Sequence, residues 1–416
     1  MPRRPRIEAR TLSTAQLSAV HPFFAGDTLD IGGVLVGCDA ITGRPVAVDP
    51  WRLYHKGIIT NPGMVVVGNV GVGKSALIKT YVSRHVAAGR SAVILDPKGE
   101  YDALARAHNV TPLALAPHGA LRINPLDPAL DLDRQQALIG ALMTLGLGRP
   151  LTPTEHTGCV VACRRARGTT LHALLEILRT PPPEMASQLG LTRAACGPAL
   201  RECALALGRL VDGELSGMLD GPTSDEINLD APLVVCDLSR IRHSPALALV
   251  MACLCAWHEQ HVIAHPAQRI LVIDEAWALI AHPATAEFFQ RSWKLARAMG
   301  VHNILIVHRF GDLGAAGDSG TRVQAIADGL IADSQLLVVM RQSHTDVAHT
   351  RERVGLSERE TELVTHLPRG SALWHIAGTR LVVAHVIADG EAALIDTDHA
   401  MRTRPAQALN SSCTTQ

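Results

Sequence analysis

Aromatic residues are scarce in this sequence: phenylalanine, tyrosine and tryptophan make up 3% of its 416 residues. With so few rings, the core has to be built from leucine, valine, isoleucine and alanine. Charge of one sign is not in excess either, because 39 Lys+Arg face 39 Asp+Glu. No global basic field therefore indicates a nucleic-acid partner, although a neutral sum can hide a basic channel lining.

Disulfide and metal-binding cysteine patterns are also missing. The nine cysteines include no pair in C-x-x-C spacing, which is typical of a protein of the reducing cytoplasm. Cys159 and Cys163 lie four residues apart and close to His156 in sequence, so a metal site on one helix face is one interpretation. Buried free thiols are the commoner outcome for such cysteines, and we predict that outcome here.

Long hydrophobic segments are absent too. Residues 1–10 are basic, but no apolar core follows them, so no signal peptide is predicted. The longest apolar run, residues 246–257, is too short to span a bilayer. We expect no membrane span of the chain's own. The expected location is the cytoplasm, or the inner face of the cytoplasmic membrane where a partner holds the chain.

What the sequence does contain is an alternation of apolar runs and helical stretches. Residues 64–67 form an apolar run, a glycine-rich turn follows, residues 74–88 have helical character, and residues 92–95 form the next apolar run. This order predicts an α/β fold with a mostly parallel sheet. Further strands are predicted at residues 233–237, 270–273, 304–307 and 336–340, with helices at 246–261, 285–299 and 321–332.

Two β-hairpins and a helical insertion complete the predicted organisation. The hairpins pair residues 34–37 with 45–48 and 372–376 with 381–386. Between them, Thr152–Glu155 forms a capping box with proline at the first helical position, and leucines at 171, 174, 175 and 178 keep helical spacing. The predicted divisions are a loosely ordered lead-in at 1–30, a core at 31–130, an all-helical insertion at 131–219, a second core part at 220–401 and a disordered tail at 402–416.

The turn after the first apolar run carries a phosphate-binding motif. It fits G-x-x-x-x-G-K-[ST] at every fixed position, with an apolar strand before it and a helix after it. Its glycines let backbone N–H groups turn inward around phosphates, and the helix N-terminus adds the positive end of a dipole. The predicted nucleotide-binding residues are Gly68, Asn69, Val70, Gly71, Val72, Gly73, Lys74, Ser75 and Ala76.

A second motif supplies acidic groups. The apolar run 270–273 ends in Asp274 and Glu275, so both carboxylates emerge at the C-terminal end of a buried strand. Ser75 and Asp274 are the predicted Mg²⁺ residues, Lys74 pairs with the β- and γ-phosphates, and Glu275 orients or deprotonates the attacking water.

The spacing of these motifs narrows the class of nucleotide hydrolase. Asp274 follows Lys74 by 200 residues, which is far longer than in a small GTPase or a nucleoside kinase. No Asn-Lys-x-Asp guanine-reading motif occurs. We therefore expect ATP with Mg²⁺ in preference to GTP, and an ATPase activity.

Two further residues are predicted to act on the γ-phosphate. His308 follows the run 304–307, and in a doubly wound sheet the C-terminal ends of the strands face the ligand, so His308 is a candidate sensor. Hydrolysis also needs positive charge on the transition state, often an arginine from a neighbouring subunit. The candidates are Arg297, Arg322 and Arg341, and Arg297 lies in the helix predicted before the sensor strand.

Together these residues resemble the ATPase domain of the TraC-type (VirB-four) proteins of conjugative, type IV secretion, within the FtsK/HerA group of motor ATPases. The resemblance covers roughly residues 45–400. The stretches that carry it are residues 94–101 (ILDPKGEY), 123–127 (INPLD), 219–223 (LDGPT), 272–277 (VIDEAW), Leu373–Trp374 and Asp396–Thr397–Asp398.

The resemblance implies a RecA-like P-loop NTPase core with an all-α insertion. It also implies a homo-hexameric ring with ATP sites at subunit interfaces, each completed by an arginine of the neighbour. Arg297 lies eleven residues before His308, which matches where such proteins carry that arginine. Inner-membrane secretion channel proteins and DNA are the implied partners.

The sequence departs from the family pattern in two places. Such proteins commonly carry glutamine at the sensor position, where this chain has His308. They also carry a large N-terminal docking domain, whereas 67 residues precede Gly68 here. A docking domain on a separate protein and a different task for this chain are the two alternatives.

Three functions are consistent with these patterns. The first is a motor ATPase of conjugation or secretion. The second is a DNA translocase similar to HerA or to the coupling proteins, for which the basic cluster at Arg164, Arg165 and Arg167 is the supporting feature. The third is a nucleotide-gated assembly factor without motor activity.

Overall fold

A computed structural model describes residues 32–313 and 320–395. The predictions of a loosely ordered lead-in at 1–30 and a disordered tail at 402–416 lie outside the described residues, as does the segment Asp396–Thr397–Asp398.

The strands of the described residues belong to one mixed sheet of eleven strands. In chain order they are β1 (Val34–Asp39), β2 (Pro45–Val48), β3 (Met64–Val67), β4 (Ser91–Asp96), β5 (Leu113–Ala114), β6 (Leu233–Asp237), β7 (Arg269–Ile273), β8 (Val301–Val307), β9 (Leu336–Met340), β10 (Ser371–Ile376) and β11 (Thr379–His385).

The spatial order of the strands is β2-β1-β11-β10-β9-β3-β8-β7-β4-β6-β5. From β9 to β5 every neighbouring pair is parallel, and the remaining strands add an antiparallel edge. Both predicted hairpins belong to that edge, since β1 pairs with β2 and β10 with β11. The predicted α/β class with a mostly parallel sheet is confirmed.

The helices lie on both faces of the sheet and in one long connection. The α-helices of the described residues are α1 (Pro50–His55), α2 (Lys74–Ala87), α3 (Asp102–Ala107), α4 (Leu132–Leu147), α5 (Pro153–Arg165), α6 (Leu171–Arg179), α7 (Pro183–Gln188), α8 (Arg193–Arg209), α9 (Ala246–Ala264), α10 (Trp277–Ile280), α11 (Pro283–Leu295), α12 (Gly320–Asp333), α13 (His344–Val354), α14 (Glu358–His366) and α15 (Ala392–Ile395).

The alternating side chains of the sheet divide the interior into two cores. In β3, Met64 and Val66 pack in the core on the α2 side, whereas Val65 and Val67 pack in the core that holds α9 and α11. All four residues of β3 are buried. A strand that is covered on both faces has a continuous apolar sequence, which is why the apolar run 64–67 predicted β3 correctly.

The connection between β5 and β6 is helical from Leu132 to Glu214, with α4 to α8 followed by a π-helix (Leu210–Glu214). The capping box predicted at Thr152 and Glu155 is present. At the base of this helical region, Asn124 N donates to Thr223 Oγ1 at 3.0 Å. The two stretches 123–127 and 219–223 therefore meet where the chain leaves the sheet and returns to it.

Helix α9 extends beyond the helix predicted at residues 246–261. With 19 residues, Ala246–Ala264, the helix is long and apolar enough to cross a membrane by length and composition. However, 78% of its 18-residue apolar window is buried inside the protein. Such burial is that of a core helix, and α9 packs against β-sheet, α4 and α11 residues in the larger core.

Candidate nucleotide site

The candidate site lies where three neighbouring parallel strands end. Strand β8 runs between β3 and β7, in register with both. The phosphate loop follows β3, the acidic pair follows β7, and His308 follows β8. The topology therefore places His308 between the phosphate loop and the acidic pair.

The backbone of the phosphate loop requires its glycines. Gly71 and Gly73 have φ values of 78° and 109°, in the left-handed region that side chains disfavour. Gly73 is also the N-cap of α2. A Cβ on Gly68 would lie 2.7 Å from Met340 Cβ, so the first residue of the loop packs directly against β9 and has no room for a side chain.

Neighbouring segments hold the loop in place. Asn69 N donates to the carbonyl oxygen of Arg341 at 3.0 Å, and Gly370 N donates to that of Val72 at 2.9 Å. Val72 is buried, whereas Val70 at the apex of the loop is 81% exposed. Ala76 lies in the first turn of α2 and is half-buried.

Lys74 is a buried cation that contacts its own loop. Its Nζ donates to the carbonyl oxygens of Gly68 and, at 2.8 Å, of Asn69, and it lies 2.9 Å from His308 Nδ1. Burial, followed by the charge of Lys98, lowers the pKa of Lys74 to about 8. A bound anion would replace the carbonyl contacts and stabilise the charged form of this lysine.

Oxygen ligands gather beside Lys74. The hydroxyl of Ser75 donates to Glu100 Oε2 at 2.9 Å. Asp274 is 1% exposed, accepts from Glu275 N at 2.8 Å and receives the hydroxyl of Tyr101 at 3.4 Å. Burial raises the pKa of Asp274, and the nearby charge of Lys98 only partly opposes that rise.

Glu275 is held by three donors. His308 Nε2 donates to its Oε1 at 2.8 Å, Lys98 Nζ pairs with the same oxygen, and Trp277 Nε1 donates to its Oε2. Burial opposes ionisation of Glu275, but the hydrogen bonds from His308 and Lys98 outweigh it and lower its pKa to about 2. The backbone is strained here, because Glu275 has a φ of 54°, a conformation that costs a non-glycine residue about 1–3 kcal/mol.

The contacts of His308 assign its tautomer. The ammonium group of Lys74 can only donate, so Nδ1 of His308 is the acceptor. Nε2 therefore carries the proton and donates a hydrogen bond to Glu275. Lys98 Nζ lies 3.0 Å from the same Nε2, but because that nitrogen is protonated, Lys98 donates to Glu275 instead. His308 therefore links a cation and a carboxylate through opposite nitrogens, as a polar sensor requires.

Lys98, Glu100 and Trp277 reach the site without having been predicted as site residues. The loop that carries Lys98 and Glu100 is shaped by the buried Asp96 side chain, which accepts from the backbone N–H of Lys98, Gly99 and Tyr101 at 3.1, 2.9 and 2.9 Å. The available signal was the apolar run 92–95, because it ends in Asp96 at the same edge of the parallel sheet.

Arg297 is the one predicted site residue that lies apart from this group. Helix α11 ends at Leu295, so Arg297 lies in the turn before β8 and not in the helix as predicted. The turn forms because Val301 N donates back to the carbonyl oxygen of Ala296 and Gly300 takes a φ of 70°. Arg297 is exposed at the N-terminal end of β8, the opposite end from the phosphate loop of its own chain.

The other two candidate arginines have different positions. Arg322 is 71% exposed at its side chain and pairs with Glu287 at 2.8 Å. Arg341 is exposed at the C-terminal end of β9, where its carbonyl oxygen holds the phosphate loop.

A cavity of about 610 Å³ opens beside the acidic pair. It is lined by Pro97, Lys98, Arg242, His243, Leu247, Glu275, Trp277 and His308. The catalytic candidate Glu275 thus has space in front of it that connects to solvent.

The residues fit a nucleotide with Mg²⁺. The strained glycine loop and the buried Lys74 suit a polyphosphate. The hydroxyl of Ser75 and the carboxylates of Asp274 and Glu100 form an all-oxygen donor set, which Mg²⁺ prefers.

Comparisons with known proteins support the P-loop fold. Residues 34–146 match the TraG P-loop domain family. A comparison with curated protein sequences finds no match. The solved structure of VirB4 of Thermoanaerobacter pseudethanolicus gives a TM-score of 0.72 at 22% identity, covering 88% of this chain and 99% of that chain.

Structures of the plasmid coupling protein TrwB are also similar. The complex with ADP and Mg²⁺ gives a TM-score of 0.57 at 18% identity, covering 91% of this chain and 94% of that chain. The complex with the ATP analogue ADPNP gives 0.56 at 19% identity, covering 91% and 93%. These likenesses establish a P-loop NTPase fold, and the predicted resemblance to VirB-four proteins is confirmed.

Proposed function

We propose that this chain is an ATP-hydrolysing motor of the TraC (VirB-four) type, which acts as a homo-hexameric ring and energises conjugative DNA transfer or type IV secretion. The observation that carries the proposal is the hydrogen-bonded chain from Lys74 through His308 to Glu275. It joins the phosphate loop, the sensor position and the candidate base across three neighbouring strands.

Each of these residues has a separate task. The N–H groups of the loop and Lys74 bind the β- and γ-phosphates, while Ser75 and Asp274 hold Mg²⁺. When bound, Mg²⁺ neutralises the charge that develops on the phosphate oxygens. Glu275 orients the attacking water. The hydrogen bonds from His308 and Lys98 hold its pKa low, so its basicity increases when the contact with Lys98 is released.

An arginine from a neighbouring subunit completes the site in this proposal. Arg297 is exposed and lies at the end of β8 that faces away from its own phosphate loop. In a ring of identical subunits, that position suits a role in the site of the next subunit.

The nucleotide of this proposal is ATP. TrwB has been solved with an ATP analogue and with a GTP analogue, so likeness to TrwB does not choose the base. The preference for ATP rests on the missing guanine-reading motif in the sequence.

A DNA translocase is the second candidate. The fold it shares with the coupling protein TrwB favours it. The basic cluster at Arg164, Arg165 and Arg167 is exposed, although Arg165 pairs with Glu184 at 3.1 Å and is partly neutralised. A nucleotide-gated assembly factor is the third candidate, with slow turnover that nothing stimulates.

The test is ATP turnover of the purified chain with and without DNA, with the oligomeric state read by light scattering. The motor proposal expects Mg²⁺-dependent turnover in a hexameric fraction, abolished in Lys74→Ala and in Glu275→Gln. Glu275→Gln should still bind ATP, which separates a lost base from a lost nucleotide site.

The outcomes separate the candidates. Stimulation by DNA without binding to secretion channel proteins favours the translocase, and binding to those proteins favours the secretion motor. Wild-type turnover that equals that of Lys74→Ala in every oligomeric state would contradict both.

A further inference from the structure

Three metal-ligating side chains meet at the edge of the sheet away from the nucleotide site. His261 lies in the last turn of α9, His265 is its C-cap, and Asp230 lies in the segment before β6. One ligand atom of each lies within 4.8 Å of those of the other two. The cluster is at the N-terminal ends of β6 and β7, whereas the phosphate loop follows the C-terminal end of β3.

The contact between His261 and Asp230 leaves a nitrogen unsatisfied. His261 Nε2 is buried and lies 3.2 Å from Asp230 Oδ1, but within the described part of the chain it makes no well-aligned hydrogen bond. An imidazole lone pair and a carboxylate oxygen repel at this separation unless a proton or a cation lies between them. Zn²⁺ binds such atoms tetrahedrally at about 2.0–2.2 Å, which sets neighbouring ligand atoms about 3.3 Å apart.

The two histidines lie side by side at the end of one helix. The rings of His261 and His265 lie 4.8 Å apart between centroids. Both residues are at the C-terminal end of α9, where the unpaired carbonyl groups of the helix favour a cation.

The ligand types at this cluster, and one neighbouring charge, decide which cation fits. Arg269 Nη2 lies 3.9 Å from Asp230 Oδ1, and Arg269 Nη1 donates to the carbonyl oxygen of Leu229 at 2.6 Å. This guanidinium repels any divalent cation at the site, so binding has to come from the two imidazole nitrogens and not from charge on oxygen ligands, which is how Mg²⁺ and Ca²⁺ are held. Two imidazole ligands instead suit Zn²⁺, Co²⁺ or Ni²⁺.

We propose that Asp230, His261 and His265 form a binding site for an imidazole-preferring divalent metal, with Zn²⁺ as the reference ion and water as the fourth ligand. The bound metal ties the end of α9 to the segment that returns from the helical region to β6. This site is separate from the earlier cysteine hypothesis, since Cys159 and Cys163 are buried free thiols in α5.

The experiment is a Co²⁺ titration of the untagged full chain without nucleotide, followed by displacement with Zn²⁺. We expect one Co²⁺ per chain with the intense visible absorption of tetrahedral coordination, and its loss when Zn²⁺ is added. His265→Ala and Asp230→Asn should each weaken binding at least tenfold. His349→Ala, which removes another exposed helical histidine, should leave it unchanged.

Asp230 and His265 are exposed, so their substitution should not unfold the protein. Circular dichroism checks that each variant is folded. His261→Ala is a secondary test, since that ring is largely buried. The proposal is overturned if the wild type shows no tetrahedral Co²⁺ spectrum, or if His265→Ala binds Co²⁺ as tightly as the wild type. Binding of several ions that no variant reduces would mean adventitious surface histidines, and would also overturn it.

Discussion

His308 Nε2 lies 2.8 Å from Glu275 Oε1, so the residue that ends β8 holds the carboxylate that follows β7. The opposite nitrogen of His308 contacts Lys74 at 2.9 Å. A movement of the phosphate loop that displaces Lys74 therefore changes the environment of Glu275 through one ring.

The first prediction concerns the identity of this sensor. His308→Gln keeps an acceptor for Lys74 and an N–H donor for Glu275, so its kcat should stay within about threefold of wild type. His308→Ala removes both and should lower kcat on the order of 10²-fold, as the loss of one preorganised donor does elsewhere. Steady-state ATP turnover measures both variants. An equal loss of kcat in His308→Gln and His308→Ala would show that the imidazole itself is required.

The second prediction concerns pH. Burial lowers the pKa of Lys74 to about 8, and a bound polyphosphate raises it again. Below pH 8 the lysine is charged in both states; above pH 8 it is neutral in the free protein only. Binding then takes up a proton, so affinity should fall by up to about tenfold per pH unit above pH 8.

Calorimetry with a non-hydrolysable ATP analogue checks this, in buffers of different ionisation enthalpy. Proton uptake on binding should be near zero at pH 7 and approach one proton above pH 8. Affinity that is level across this range would mean that Lys74 is charged throughout.

The third prediction concerns Arg297. If it acts in the site of a neighbouring subunit, Arg297→Ala and Lys74→Ala should each be inactive alone. Mixed rings should regain turnover, because a site can combine the intact loop of the first variant with the intact arginine of the second.

Lys294→Ala is the matched control for that experiment, since it removes an exposed cation one turn earlier in α11. It should keep near wild-type turnover. Mixed rings no more active than either parent would exclude a role of Arg297 in trans.

The fourth prediction compares two glycine substitutions. Gly68→Ala places a Cβ 2.7 Å from Met340 Cβ, which should destabilise the protein by about 1–3 kcal/mol and weaken nucleotide binding. Gly140→Ala in α4 meets nothing within 4 Å and should stabilise it by about 1 kcal/mol. Denaturant unfolding measures both, and a neutral Gly68→Ala would show that the loop shifts freely.

Much of the architecture could be predicted because its signals are local. Strands β6 and β9 have the predicted bounds, since each is an apolar run buried on both faces. The capping box at Thr152 was predicted because the hydrogen bonds that form it span three residues.

Other features depend on contacts between distant segments. Lys98 and Trp277 belong to stretches that carried the family resemblance, but their contacts with Glu275 exist only once β4 and β7 are neighbours. The end of α11 before Arg297 was missed, because the turn is set by Gly300 and by the start of β8, not by a break in the helical pattern.

The sequence alone determined the class of fold, the phosphate loop and the acidic pair, because hydrophobic period, turn chemistry and motif spacing act over short distances. Only the tertiary structure decided that β8 lies between β3 and β7, and thus that His308 touches both Lys74 and Glu275. Strand order results from the packing of the whole sheet, and no local pattern encodes which strands become neighbours.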